Sequence, residues 1–395
     1  MTALLNRTRA FEAELIELRR DLHRHPELSF QEHRSAEIVA ERVQALGYEV
    51  RRGVGVTGVV AELRSGDGPL VALRADMDAL PIQEENAVPY RSTVDGVMHA
   101  CGHDVHMSML VGAAHLLADE HRRGTLPPGG IRLLFQPSEE RSDDENKSGA
   151  IRMLEDGALD GVDAVFGLHV GAHLPAGKLF VREGAMMAGS DTFRLTVRGR
   201  SAHAGRPEEG VDAIVVAAQM VLAAQTGVSR RISPHDEGVL HFGTVRGGSA
   251  GNVLADEVVL TGTVRYFDEK VRRVLQETLR RNAEMAATLG GSAELDYRSG
   301  YPPLVNPPDM VRLAREAARE ALGDDAVWEA APFMGAEDFA FMLQRAPGAF
   351  LWLGGALDRP REHHHPEFDV DEHSIAQGAA VLAACAMRTL ANAAR

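Results

Sequence analysis

IRLLFQPSEE, residues 131–140, is a short apolar run that ends at Pro137 and opens onto two adjacent carboxylates, Glu139 and Glu140. An apolar run of this length bounded by a breaker reads as a buried strand, and the same unit recurs on both sides of it in alternation with helical spacing. Upstream stand TGVVAEL at 57–63, PLVALRAD at 69–76 and a helix over about 105–119; downstream come a helix over about 149–156 and DAVFGLH at 163–169. Two helices precede them. Phe11, Leu15, Leu18 and Leu22 share one face of a helix over 8–25 that stops at Pro26, and Ala36, Val39, Val43 and Leu46 share one face of a second over 31–46 that ends at Gly47. Strands alternating with helices specify an α/β layer, here a mixed, largely parallel sheet flanked by helices.

Near residue 186 the texture changes. DTFRLTVRG, a helix over about 208–226, GVLHFGTVRG, EVVLTGTVRYF, a helix over about 269–289 and SAELDY follow one another in the order βαββαβ, the ferredoxin-like arrangement. The α/β pattern resumes near Gly300 and closes on a long helix over about 372–393. The expected division is a catalytic domain of residues 1–185 and 300–395 and an inserted ferredoxin-like lid of residues 186–299, a topology that invites hinge motion. A chain of 395 residues agrees with this, because single cores usually stop growing at roughly 250–300 residues.

Composition narrows the partners. A net charge of −15 argues against nucleic acid and anionic membrane, which are bound through clustered positive charge. The N-terminus has no apolar stretch of secretory length and no segment approaches the ~20 apolar residues that span a bilayer, so the expected location is the cytoplasm. Two cysteines cannot make a disulfide framework; Cys385, in AVLAACAMRTL, reads as a small core residue.

Cys101 differs. It opens CGHDVH, with His103, Asp104 and His106 close behind, between strand LVALRAD, which leads into Asp76 and Asp78, and strand IRLLF, which leads into Glu139 and Glu140. His169 closes a third strand. Open α/β sheets bind ligands at the carboxyl ends of their strands, and S, N and O donors gathered there suit Zn²⁺ or Mn²⁺. Each element has a plainer reading: a satisfied strand-end histidine for His169, a redox thiol at a helix start for Cys101, a solvated acidic loop for Asp143, Asp144 and Glu145. His106, one turn along the helix, reads as a support or packing residue. Two adjacent carboxylates beside a metal permit one to bind it while the other moves a proton from a metal-held water to a leaving amine, which suits amide hydrolysis. Farther on, His203 in SAHAGRPEEG is a candidate oxyanion donor or a plain surface histidine. Asn252 and Arg265 are candidates for a substrate carboxylate, or a turn residue and an exposed strand arginine. Of His363, His364 and His365, in HHHPEFDVDE, at least one is expected to be a ligand.

Together LRADMDALPIQEEN, HACGHDVHMSMLVGAA, LLFQPSEE, GLHV, SAHAGRPEEGVDAI, GNVLADEVVLTGTVR, MGAEDFAFML and HHPEFDVDE resemble the hippurate hydrolase and auxin-conjugate hydrolase branch of the aminoacylase and carboxypeptidase family of dinuclear metallopeptidases, in order and over nearly the whole chain. The resemblance implies two metal ions, Zn²⁺ or Mn²⁺, held by Cys101, His103, Glu140, His169 and one late histidine, His364, which stands two residues before Pro366. It implies Glu139 as general acid/base and His203, Asn252 and Arg265 as lid residues that contact the scissile carbonyl and the substrate carboxylate, with Asp76 and Asp78 supporting the ligands. It also implies a small N-acyl amino acid as substrate and a homodimer or higher homo-oligomer joined through the lid. The charged segment RSDDENK, 141–147, departs from the family's glycine-rich run and leaves the acyl and amino-acid preference open. Two other functions stand beside this one: a dipeptidase or carboxypeptidase of the same family, and a non-catalytic metal or thiol sensor, which would be expected to lack Glu139 or a ligand.

Overall fold

The computed structural model describes residues 2–359 and 361–393. Its strands, in chain order, are β1 (Glu49–Val54), β2 (Gly58–Arg64), β3 (Leu70–Asp76), β4 (Gly130–Gln136), β5 (Ala164–Gly171), β6 (Leu179–Val181), β7 (Gly184–Met187), β8 (Gly189–Arg198), β9 (Gly238–Gly247), β10 (Glu257–Tyr266), β11 (Ser292–Tyr301), β12 (Leu304–Asn306), β13 (Val327–Glu329) and β14 (Gly348–Gly354). Eight of them form one sheet in the order β1-β2-β4-β3-β5-β14-β6-β13. β4, β3, β5 and β14 run parallel at its centre, while β1 on β2, β2 on β4 and β6 on β14 are antiparallel. This is the mixed, mostly parallel sheet flanked by helices that the alternating pattern predicts. β3, β5 and β14 are buried along their whole length, as strands covered on both faces must be.

The core gathers around helices His103–Arg122 and Ser374–Ala393. Where they meet, glycines replace side chains: a Cβ on Gly112 would stand 2.8 Å from Ala379 Cβ, and one on Gly378 would stand 2.3 Å from Met109 Sδ. This compact unit comprises residues 1–186, 305–331 and 338–395.

A second compact unit comprises Met187–Leu304 and Pro332–Glu337. Its strands run β11-β8-β10-β9, all antiparallel, and its core joins them to helices Ala213–Arg231 and Glu269–Met285, which completes the βαββαβ order. The first of these helices begins at Ala213, later than its spacing suggests, because Asp212 caps it by accepting from the Ile214 N–H while Pro207–Glu209 forms a separate turn. Asp191, fully buried in β8, accepts from Arg272 Nε at 2.7 Å, Tyr297 Oη at 2.6 Å and Gly300 N at 2.9 Å. Asp191→Ala strands those donors and is expected to destabilise this unit by about 3 kcal/mol. A denaturant midpoint equal to wild type would contradict that.

Ala213–Arg231 and Ser374–Ala393 are long and apolar enough to cross a bilayer by length and composition, which corrects the expectation that no segment approaches that length. Burial explains the second, whose apolar window is 72 % buried; the first packs one side on its own sheet and leaves Ile214, Val215 and Leu222 exposed.

Candidate metal centre

The parallel strands deliver their carboxyl ends to one edge of the sheet, and the donors collect there. Asp76 ends β3, Glu139 and Glu140 follow β4, and His169 lies near the end of β5. The helix that starts at His103 begins at the same edge, after Gly102 with φ of +92°. A Cβ there would stand 2.5 Å from Val170 Cγ1, so only glycine allows the left-handed turn that sets Cys101 and His103 on either side of it.

Cys101, His103 and Glu140 bring one donor atom each within 4.8 Å of one another, and so do Cys101, His169 and His363, and His103, His106 and His169. Cys101 Sγ lies 3.5 Å from His169 Nε2 and 3.8 Å from His363 Nδ1. Side chains scattered from residue 101 to residue 363 therefore converge on one sulfur.

Hydrogen bonds sort the histidines. His169 Nδ1 donates to the Val170 carbonyl at 2.8 Å, which leaves the Nε2 lone pair turned toward Cys101. His106 is the reverse: Nε2 accepts from the Val170 N–H at 2.9 Å, so Nδ1 donates to Asp76 Oδ1 at 2.6 Å and no lone pair remains. His363 is likewise engaged, because Nε2 accepts from the Ala172 N–H at 3.2 Å and Nδ1–H faces Cys101 Sγ. His364, exposed and at φ of +60°, places Nε2 3.0 Å from Glu140 Oε1. His365 Nδ1 accepts from the Glu367 N–H.

Buried carboxylates hold the rest. Asp78 accepts from the backbone N–H of Glu139 at 3.0 Å and of Glu140 at 3.1 Å, and its Oδ1 lies 3.2 Å from His103 Nδ1. Behind Asp76 stands Arg74, which donates to it at 2.7 Å, to Asp338 at 3.0 Å and to Gln136 at 2.9 Å. Burial alone would raise the Asp76 carboxyl, but Arg74, His103 and His106 outweigh it and hold it well below the usual range. Burial would likewise lower His103, and the Asp76 and Asp78 carboxylates reverse that and carry it up to about 10. Burial, then the charges of Glu140 and Glu139, push the Cys101 thiol far up; burial, then His106 and His363, push His169 far down.

In the second unit His203 and Asn252 meet: His203 bridges Val253, and the Ala204 N–H donates to the Asn252 carbonyl at 3.0 Å. His203 Nδ1 accepts from the Gly205 N–H at 2.9 Å, so its exposed Nε2 carries the proton. Arg265 is elsewhere. It pairs with Ser190 at the start of β8, whereas Gly199, just past the end of β8, leads to the His203 loop; at about 3.3 Å per residue the separation is roughly 30 Å. Segment 141–147 folds on itself: Asp143 accepts from the N–H groups of Glu145 and Lys147 and pairs with Arg152.

An α/β sheet with thiol, imidazole and carboxylate groups converging at its strand ends defines a hydrolase of the metallopeptidase class. The chain belongs to the peptidase family M20/M25/M40, whose model matches residues 72–388. It is 40% identical over 381 residues to N-acetyl-L-cysteine deacetylase of Bacillus subtilis, covering 96% of this chain and 89% of that one. It is 37% identical over 387 residues to IAA-amino acid hydrolase ILR1-like 2 of Arabidopsis thaliana, covering 95% and 85%. A solved Bacillus subtilis protein, described as a dinuclear metal binding peptidase of this family, superposes with a TM-score of 0.83 at 36% identity over 97% of this chain and 99% of that one.

Proposed function

We propose that this hydrolase cleaves the amide bond of N-acyl-L-amino acids or related conjugates in the cytoplasm, and that it belongs with the hippurate and auxin-conjugate hydrolases of its family. The observation that carries the reading is the convergence of Cys101, His103, Glu140 and His169, with the Glu139 charge near enough to act on the Cys101 thiol. The relatives that act on N-acetylcysteine and on an auxin conjugate, by their names, support the substrate class.

The donor set fits cations. Among the described residues, His103 Nε2 is buried without a hydrogen bond, a cost of about 1–3 kcal/mol unless something binds it, and Glu140 Oε1 has the His364 ring 3.0 Å away. Cys101, His103, Glu140, His169 and His364 would hold two divalent ions, Zn²⁺ or Mn²⁺, with Cys101 in two of the three triads and His364 reaching the site through Glu140. His106 and His363, their lone pairs spent on backbone N–H groups, orient Asp76 and Cys101 instead. Bound ions supply a Lewis acid and a nucleophile from water at neutral pH. Glu139 takes the proton from the attacking water and passes it to the departing nitrogen. His203 Nε2–H meets the charge that grows on the carbonyl oxygen, and Asn252 and Arg265 receive the substrate carboxylate.

A small substrate cannot span roughly 30 Å, so His203 and Asn252 on one side and Arg265 on the other reach it from different copies of the chain. Exposed Ile214, Val215 and Leu222, with Val239 and Val245 on the outer strand β9, offer the surface for such a homodimer.

The deciding experiment assays acetyl-, benzoyl- and aminoacyl-amino acids with Mn²⁺, Zn²⁺ or chelator. Acyl-amino acids should turn over with metal, stop with chelator and fail when their carboxylate is esterified; preference for the aminoacyl series would make the enzyme a dipeptidase. His106→Ala should weaken metal binding by about 10–100-fold while leaving every ligand in place, read by competition with a chelating dye. Unaltered affinity would remove His106 from the support of the site.

A further inference from the structure

Three consecutive backbone N–H groups, those of Ser138, Glu139 and Glu140, are received by two buried carboxylates. Asp78 takes the second and third, and Glu32 takes the first, Ser138 N to Glu32 Oε1, at 2.9 Å. Ser138 stands at φ of +46°, a left-handed conformation that a residue with a Cβ adopts only when its surroundings enforce it. The same Glu32 oxygen also accepts from the N–H of Phe30 at 2.9 Å, and Phe30 is left-handed too, at φ of +60°. The other oxygen accepts the Thr57 hydroxyl. Glu32 precedes helix His33–Ala45, yet its carboxylate makes no capping bond to that helix and is turned inward, fully buried, to the loop that carries Glu139.

We propose that Glu32 is a positioning residue for Glu139: by clamping left-handed Ser138 it fixes the direction in which the next side chain leaves the backbone. The clamp needs an acceptor oxygen at that point and does not need a charge. Burial, helped by the nearby Asp78 charge, pushes the Glu32 carboxyl up to about 7 against the N–H and O–H donors that lower it.

This rests on Glu139 carrying the proton, so Glu139→Gln is measured alongside. Glu32→Gln keeps an acceptor oxygen and should retain kcat within about threefold, whereas Glu32→Ala, which removes it, should lower kcat by about 10²-fold, with KM and bound metal per chain unchanged. If Glu32→Ala does not fold, Glu32→Asp, which withdraws the carboxylate by one methylene, takes its place and should fall on the same side. Near-normal kcat in the folded Ala or Asp variant, or a loss that tracks loss of metal, overturns the assignment. If Glu139→Gln is itself active, the functional reading has failed; if it is inactive while Glu32→Ala is not, only the role of Glu32 has failed.

Discussion

Glu139→Gln is expected to bind its metal ions at unchanged stoichiometry and to lose about 10²–10⁴-fold in kcat, the span that a positioned proton carrier contributes. The amide is nearly isosteric with the carboxylate. Asp78 holds residue 139 through its backbone N–H, a bond the substitution leaves intact, and the neighbouring Glu140 keeps its own N–H on the other oxygen of Asp78. What disappears is a buried oxygen able to accept a proton, since residue 139 is only 6% exposed and water has little access to replace it. KM should change little, because no substrate-binding group is removed. Metal analysis and steady-state kinetics on the same sample check the prediction, and a variant that retains more than about a tenth of wild-type kcat would move the base to another residue.

Much of this site was legible in the sequence because polar residues next to buried strands have few reasons to be there. Glu139, Glu140, Asp76, Asp78 and His169 all stand at the ends of apolar runs, and the strands of a parallel sheet carry their ends to one place. Order along the chain likewise made the βαββαβ unit legible, helped by β8, which alternates cleanly between an inward and an outward face. What stayed hidden depends on long-range pairing. Arg74 stands in an otherwise apolar strand, but nothing local names its partner Asp338, 264 residues away. Strand β14, GAFLWLG, has no periodicity that separates it from a core helix, and its place beside β5 is fixed only by packing. Glu32 reads as the start of a helix, and the inward turn of its carboxylate depends on a backbone angle at Ser138 that composition does not encode. Three adjacent histidines are indistinguishable by type. Only the Ala172 N–H on His363 and the approach of His364 to Glu140 tell them apart.

Apparent metal affinity should climb by at least about two orders of magnitude per pH unit between pH 6 and 8. The sign follows from which groups hold protons before the metal arrives. His103, carried up to about 10 by its carboxylate neighbours against the effect of burial, is an imidazolium at neutral pH, and Cys101, pushed far up by burial and by Glu140, is a thiol. Both must lose a proton to donate a lone pair, and His364, whose charged form is favoured by its hydrogen bond to Glu140, gives up a further one over part of this range, so uptake releases at least two protons and is opposed by acid. Each released proton adds about one log unit of affinity per pH unit, and the slope slackens as pH passes the His103 value near 10, where Cys101 still holds its proton. His169 adds nothing to the slope, because burial and its imidazole neighbours already keep it neutral. Calorimetry in buffers of different ionisation heat counts the protons directly. Cys101→Ala removes a donor that belongs to two of the three triads, so it should weaken binding by at least about 100-fold and lower the count by one. A wild-type count of zero would mean that Cys101 and His103 are not the groups that receive the ions.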